Sequence, residues 1–192
     1  MRILGRRKAG PANASHADFA EFVRGRSAAL VRTATLLVGD LHTAEDLVQH
    51  ALERAYRNWD RVRAAESPEA YVRRIVANLA NDRWRRLGKA PAVPLADEHT
   101  APEAGYGTVE RRDALIRALM ELPMGMRTVL VLRYFDEQTD DEIAAALDIS
   151  TSAVRSQAAR GLAKLRARFT VSADAPDDAP DNVVFFPFGE AS

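Results

Sequence analysis

The sequence predicts an all-α protein made of two small helical domains joined by a flexible linker. Three observations predict it. Apolar residues recur at three- and four-residue intervals over most of the chain, without the sustained alternation that a strand needs. Aromatic residues make up only 7%, and the apolar complement is mostly Ala, Leu and Val, which suits close helix packing better than sheets. Between two periodic blocks, residues 88–108 read GKAPAVPLADEHTAPEAGYGT, rich in proline and glycine and aperiodic, the makeup of an extended connector. The expected organisation is a basic N-terminal extension at 1–16, a helical domain at 17–87, the linker at 88–108, a second helical domain at 109–169, and an acidic tail with an apolar end at 170–192.

Residues 17–38 place Phe19, Phe22, Val23, Leu30, Val31, Leu37 and Val38 at helical spacings around Gly25, which predicts one or two helices stopped by Gly39 and Asp40. The helix expected over 43–59 repeats Ala44, Leu47, Val48, Ala51, Leu52, Ala55, Tyr56 and Trp59 without a break, with Thr43 and Asp46 as its capping box. Its opposite face is polar and carries Asp46, Gln49, His50, Glu53 and Arg57. Residues 60–66 read as a loop holding Arg61 and Arg63. Ser67-Pro68-Glu69 then supplies an N-cap, a first-position proline and a first-turn acid, which start a helix over 68–87. That helix buries Val72, Ile75, Val76, Leu79 and Trp84, and presents Arg73, Arg74, Asn78, Asn81, Arg83, Arg85 and Arg86. Such a face suits phosphate contact and base-edge hydrogen bonding, although a merely solvated basic face has the same pattern. Beyond the linker, helices are expected over 109–122, up to Pro123, and over 125–135 on Val129, Leu130, Leu132 and Phe135.

Residues 139–168 then read as two short helices around a tight turn, the pattern of a helix-turn-helix. Thr139 and Glu142 form a capping box for a helix from about Asp140 to Leu147, with Ile143, Ala144 and Leu147 on its stripe. Asp148 takes the turn, being one of the few residues other than glycine that visit the left-handed region at modest cost. Ser150 or Thr151 caps the next helix, whose Val154, Ala158, Leu162 and Leu165 form one apolar stripe. Arg155, Arg160, Lys164, Arg166 and Arg168 form a one-signed opposite face.

The chain has no cysteine, so disulfides, thiolate metal sites and a cysteine nucleophile are excluded. His42 and His50 stand eight apart, too far for an i, i+4 metal pair, and no nucleophile–base pair or P-loop is present, so no metal, cofactor or enzymatic activity is expected. The longest apolar run is too short for a membrane span and MRILGRRKAG lacks a signal-peptide core, so a cytoplasmic protein without membrane contact is expected. Net charge is zero, but residues 1–16 carry only basic charges and 170–192 only acidic ones. The central blocks are barely basic, 12 Lys and Arg against 10 acids over 17–87 and 10 against 9 over 109–169. A protein relying on its own phosphate contacts would carry more positive charge, so a partner is expected to supply much of the DNA grip. The tail ends in VVFFPFG, readable as a docking peptide or as a segment that folds back.

In order and spacing, AEDLVQHALERAYRNW, SPEAYVRRIVANLANDRWRR, ELPMGMRTVLVLRYFDEQTDDEIAAALDIS and AVRSQAARGLAKLR resemble the extracytoplasmic-function sigma factors of bacterial RNA polymerase, and the Ala- and Arg-rich usage resembles actinobacterial members. The resemblance implies a sigma region 2 bundle over 17–87 and a sigma region 4 helix-turn-helix over 109–169. It implies that Asp46, Gln49 and Glu53 dock on the clamp helices of the largest subunit of core RNA polymerase. It assigns Arg61, Val62, Arg63, Arg74, Asn78 and Asn81 to the promoter −10 element, with Val62 standing where relatives often carry an aromatic residue. It assigns Thr151, Ser152, Arg155, Ser156, Gln157 and Arg160 to the −35 element; many relatives have Gly at the place of Asp148, Gly-Thr at that of Ser152-Ala153 and Arg at that of Gln157. The implied function is promoter recognition and DNA opening, with promoter DNA and core polymerase as partners and an anti-sigma factor as a further possible one. The alternative from another class is a stand-alone helix-turn-helix regulator, which predicts a dimer on a palindrome; no dedicated dimerisation helix is evident.

Overall fold

A single long helix, α1 (Pro11–Val38), is the post against which both halves of the protein pack. The computed structural model describes residues 11–87 and 106–173, with side chains over 16–87 and 112–168. Seven more helices follow in the described residues: α2 (Leu41–Arg57), α3 (Trp59–Arg63), α4 (Pro68–Leu87), α5 (Tyr106–Met120), α6 (Met124–Tyr134), α7 (Asp140–Leu147) and α8 (Thr151–Ala173). None of these helices is long and apolar enough to cross a membrane.

In the first half α1 lies along α2 and α4, with short α3 closing one end. Alanines make this possible. Ala44, Ala51 and Ala55 of α2 and Ala34 of α1 are fully buried, so the backbones approach closely while Leu30, Leu37, Leu47 and Val48 fill the remaining space. Each large aliphatic side chain so buried contributes on the order of 2 kcal/mol. Phe19 and Phe22 pack on Trp59 with ring centroids 5.1 and 5.2 Å apart, which anchors α3 to α1. In the second half α6 is the central element, fully buried from Arg127 to Leu132 between α7 and α8. Gly161 lets α8 close on α6; a Cβ there would fall 2.9 Å from Leu130 Cδ1.

Several boundaries differ from expectation. Gly25 interrupts nothing, because it sits on the exposed side of α1 while the flanking apolar stripe stays packed. The cap of α2 is Asp40, whose Oδ1 accepts the Thr43 N–H at 2.8 Å, and not Thr43. Gly39 at φ 90 supplies the reversal that places Asp40 there, so the cap lies where α1 ends. Residues 59–63, expected as helix end and loop, form α3 instead, and Pro123 precedes α6 at φ −52. The basic extension overlaps α1, which starts at Pro11, and α5 starts at Tyr106, inside the expected linker. The rest of that linker and the VVFFPFG end lie outside the described residues.

The two halves also share one apolar core, whereas the sequence suggested separate bodies. α1 packs on α5 and α6, and α4 on α6 and α7. Polar side chains stitch this contact. Thr33 Oγ1 donates to Asp136 Oδ1 at 2.7 Å, and Arg73, which also pairs with Glu69 at 2.8 Å, stands 3.3 Å from the same carboxylate. Arg127 is 1% exposed and donates to the carbonyls of Leu119, Met120 and Leu122 and, across the halves, to that of Leu37 at 2.7 Å. Its guanidinium also lies 5.3 Å from the Trp84 ring centroid. Burial pushes Arg127 down to about 10, which still leaves it charged at neutral pH.

Candidate nucleic-acid interface

The helix-turn-helix is held together by short-range bonds. Thr139 Oγ1 accepts the Glu142 N–H at 3.3 Å, and Glu142 Oε2 accepts the Thr139 N–H at 2.8 Å, a reciprocal cap on α7. Those bonds from Thr139 hold the Glu142 carboxyl below its ordinary value. Asp148 closes α7 at φ 54, ψ 49, its N–H returning to the Ala144 carbonyl. Ser150 Oγ then accepts the Ala153 N–H at 3.2 Å and starts α8. Ile143, Ala144, Val154, Ala158 and Leu165 are buried, so α7 and α8 are locked together and to α6.

This packing decides which parts of α8 face outward. Ser152, Arg155, Ser156 and Arg160 are exposed and Thr151 is half-buried, forming one continuous surface along the first three turns. Gln157 departs from the group. It is half-buried, with its amide lying over Gly125, so a Cβ there would require the Gln157 side chain to move. Thr151 Oγ1 donates to Asp141 Oδ1 at 3.0 Å, and Arg155 Nε to Asp140 Oδ2 at 3.2 Å, so the start of α7 braces the start of α8. Serines and a threonine at a helix start, followed by arginines on the same face, can bond phosphate oxygens and base edges in a major groove.

The second group of expected DNA contacts is divided by the fold. Arg61 and Arg63 are exposed on α3, with Arg63 held by Asp60 at 3.1 Å and Asp18 at 3.5 Å. Val62 between them is fully buried, its side chain filling the core contact of α3. Arg74 is exposed on α4. Asn78 and Asn81 lie on the flank of α4 that meets the second half. The Asn78 amide donates weakly to the Ala146 carbonyl at 3.5 Å, and Asn81 Oδ1 is 3.1 Å from the Thr128 hydroxyl, which also stands 2.9 Å from the Met124 carbonyl. Both asparagines therefore face protein in this arrangement, apart from Arg61, Arg63 and Arg74.

The third surface is simpler. Asp46, Gln49 and Glu53 are all exposed on the side of α2 opposite Ala44, Leu47, Val48, Ala51 and Ala55, and none of the three side chains makes a hydrogen bond or ion pair with another described residue. Two acids and an amide along two turns give an acidic strip free to meet a basic partner surface.

Sequence reasoning missed the polar stitches. Asp136, with burial raising its carboxyl above the ordinary range, Thr33, Arg73 and Arg127 were not singled out as a group. One signal was available. Arg127 is the lone charge in MGMRTVLVL, and a charge inside an apolar helix must be bonded to something.

Both halves match known families. The family model described as Sigma-70 region 2 matches residues 22–90, and the one described as Sigma-70, region 4 matches residues 112–165. An RNA polymerase sigma-E factor of Streptomyces avermitilis is 37% identical over 155 residues, covering 78% of this chain and 83% of that protein. The ECF RNA polymerase sigma factor SigM of Mycobacterium tuberculosis is 30% identical over 147 residues, covering 77% of this chain and 74% of that one. Among solved structures, the Bartonella quintana sigma factor RpoE, in complex with the anti-sigma factor NepR, superposes with a TM-score of 0.63 at 22% identity over 80% of this chain and 98% of its own. CnrH, in complex with the cytosolic domain of CnrY, gives 0.58 at 24% identity over 85% and 96%. The two superpositions establish likeness of fold.

Proposed function

Because this chain belongs to the sigma-70 family, as an RNA polymerase sigma factor of the extracytoplasmic-function type, we propose that its three exposed surfaces divide promoter recognition between them. The start of α8, with Thr151, Ser152, Arg155, Ser156 and Arg160, reads the −35 element, and Gln157 joins only if it turns out from Gly125. Arg61, Arg63 and Arg74, with Asn78 and Asn81, take the −10 element, where extruding a base costs a few kcal/mol that a prepared site offsets. Asp46, Gln49 and Glu53 dock on the clamp helices of the polymerase's largest subunit. The observation that carries the reading is the capped α7–α8 pair with its exposed Ser, Thr and Arg surface, together with an acidic strip on α2 that has no side-chain partner among the described residues.

The near-balanced charge supports a division of labour in which polymerase supplies most of the phosphate contacts. The reading carries a structural requirement. Asn78 and Asn81 cannot meet DNA while α6 and α7 cover them, so the second half has to leave α4 before the −10 element is engaged. The chain itself makes and breaks no covalent bond in this scheme, and it works in the cytoplasm beside the polymerase. An anti-sigma factor is proposed as a further partner, supported by the Bartonella quintana RpoE structure of like fold, whose complex contains one.

Run-off transcription with sigma-free core polymerase tests the reading. Adding the chain should produce a discrete promoter-dependent transcript from DNA fragments that co-precipitate with it. Core binding without any such transcript would remove the promoter-reading assignment, and absence of core binding would remove the docking assignment as well.

A further inference from the structure

Four acidic residues lie at or near the start of the helix-turn-helix, Glu137, Asp140, Asp141 and Glu142, and only two of them touch the reading helix. Asp140 is the first residue of α7, and its side chain is only 15% exposed. Its carboxylate stands between two guanidinium groups. Arg133 Nη2 of α6 is 3.4 Å from Oδ1, and Arg155 Nε of α8 is 3.2 Å from Oδ2. Asp140 Oδ1 is shielded from solvent and has no hydrogen-bond partner, so its charge is balanced by those two arginines and the positive end of α7. The adjacent bond from Thr151 to Asp141 fixes the first residue of α8. The first turns of the two helices are thus pinned at neighbouring points.

The consequence falls on the geometry of Arg155. Arginine is flexible, and an exposed one loses rotamer entropy whenever it makes a defined contact. Here its inner donor, Nε, is already engaged, while the two outer Nη groups have no partner among the described residues. An arginine held by Nε presents its Nη pair as a planar fork, the donor geometry that matches the O6 and N7 acceptors of a guanine in the major groove. We propose that Asp140 is a positioning residue for promoter reading: it holds Arg155 by Nε so that the outer edge of the guanidinium meets a guanine of the −35 element. Arg133 completes the arrangement by holding the other carboxylate oxygen. This rests on the reading of α8 given above and adds to it a residue that contacts no DNA.

The experiment is a double-mutant cycle in full-length chain reconstituted with core polymerase, on a duplex carrying the promoter most enriched when the chain is co-precipitated with cross-linked chromosomal DNA. Affinity is measured for the parent, R155A, D140A, D140N and D140A/R155A. R155A should lose about tenfold or more, the scale of one bidentate base contact. D140A should lose a few-fold, D140N should recover most of it because its amide oxygen still accepts from Nε, and D140A/R155A should bind like R155A alone. Equal losses from D140A in both backgrounds, or D140N no better than D140A, overturn the proposal. R155A weakened with D140A unchanged overturns it too while leaving the α8 reading intact. R155A binding like the parent overturns the placing of Arg155 on DNA and the proposal with it.

Discussion

Replacing Arg127 tests how the two halves are joined. Its guanidinium donates to four carbonyl oxygens, three of them in the last turn and exit of α5 and one at the end of α1, and it faces the Trp84 ring. Arg127→Ala leaves the carbonyls of Leu37, Met120 and Leu122 without that donor at about 1 kcal/mol each, while the Leu119 carbonyl keeps the Leu122 N–H at 3.0 Å, and it forfeits ~1 kcal/mol of cation–π contact. Relief of the guanidinium's own desolvation offsets part of this, for a net loss of about 3 kcal/mol. With a urea dependence of about 2 kcal/mol per molar, the unfolding midpoint should drop by roughly 1.5 M. Arg127→Met refills the volume without restoring a donor, and should lose nearly as much. A midpoint shift below about 0.3 M in both variants would refute the reasoning. Full recovery in Arg127→Met alone would show that Arg127 fills space and that its bonds contribute little.

Three further outcomes are expected. Asp148 occupies the left-handed region, so Asp148→Gly should stabilise the chain by about 0.5 kcal/mol and Asp148→Val should destabilise it by about 1–2 kcal/mol, read from denaturation midpoints. Burial raises the Asp136 carboxyl above its ordinary 3.8, so the native state binds this proton more tightly than the unfolded one. The stability this group contributes is greatest below 3.8 and is lost as pH rises through the native value, a limb that should flatten in Asp136→Asn when urea midpoints are compared from about pH 4 to about pH 7. A limb that persists unchanged in Asp136→Asn would assign the dependence to another group. Asp46→Arg with Glu53→Arg should abolish co-purification with core polymerase at unchanged helix content by circular dichroism, and retained binding would move the docking surface elsewhere.

The reading elements were legible because their causes are local. Thr139 and Glu142 are three residues apart, Ser67 caps α4 through Ala70, and Asp148 carries its own preference for the left-handed region, so each could be read from a short window. The acidic strip of α2 was legible for the same reason, since helical periodicity alone puts Asp46, Gln49 and Glu53 opposite the alanines. Glu137 shows the limit. It also sits at φ 54, but glutamate has no special liking for that region and its conformation is imposed by the bend that brings Asp136 under α1.

The amino-acid order by itself determined the starts of α2, α4, α6, α7 and α8 to within a few residues, which faces are apolar, and the presence of a helix-turn-helix, because propensity, caps and periodicity act over one or two turns; it marked neither α3 nor the start of α1 at Pro11. Only the tertiary structure decided that Val62 turns inward, that Gln157 lies over Gly125, and that Asn78 and Asn81 meet α7 and α6. Thr33 and Asp136 are 103 positions apart. Nothing in either local sequence names the other, and their pairing follows from which helix faces meet once the apolar stripes of both halves are buried together.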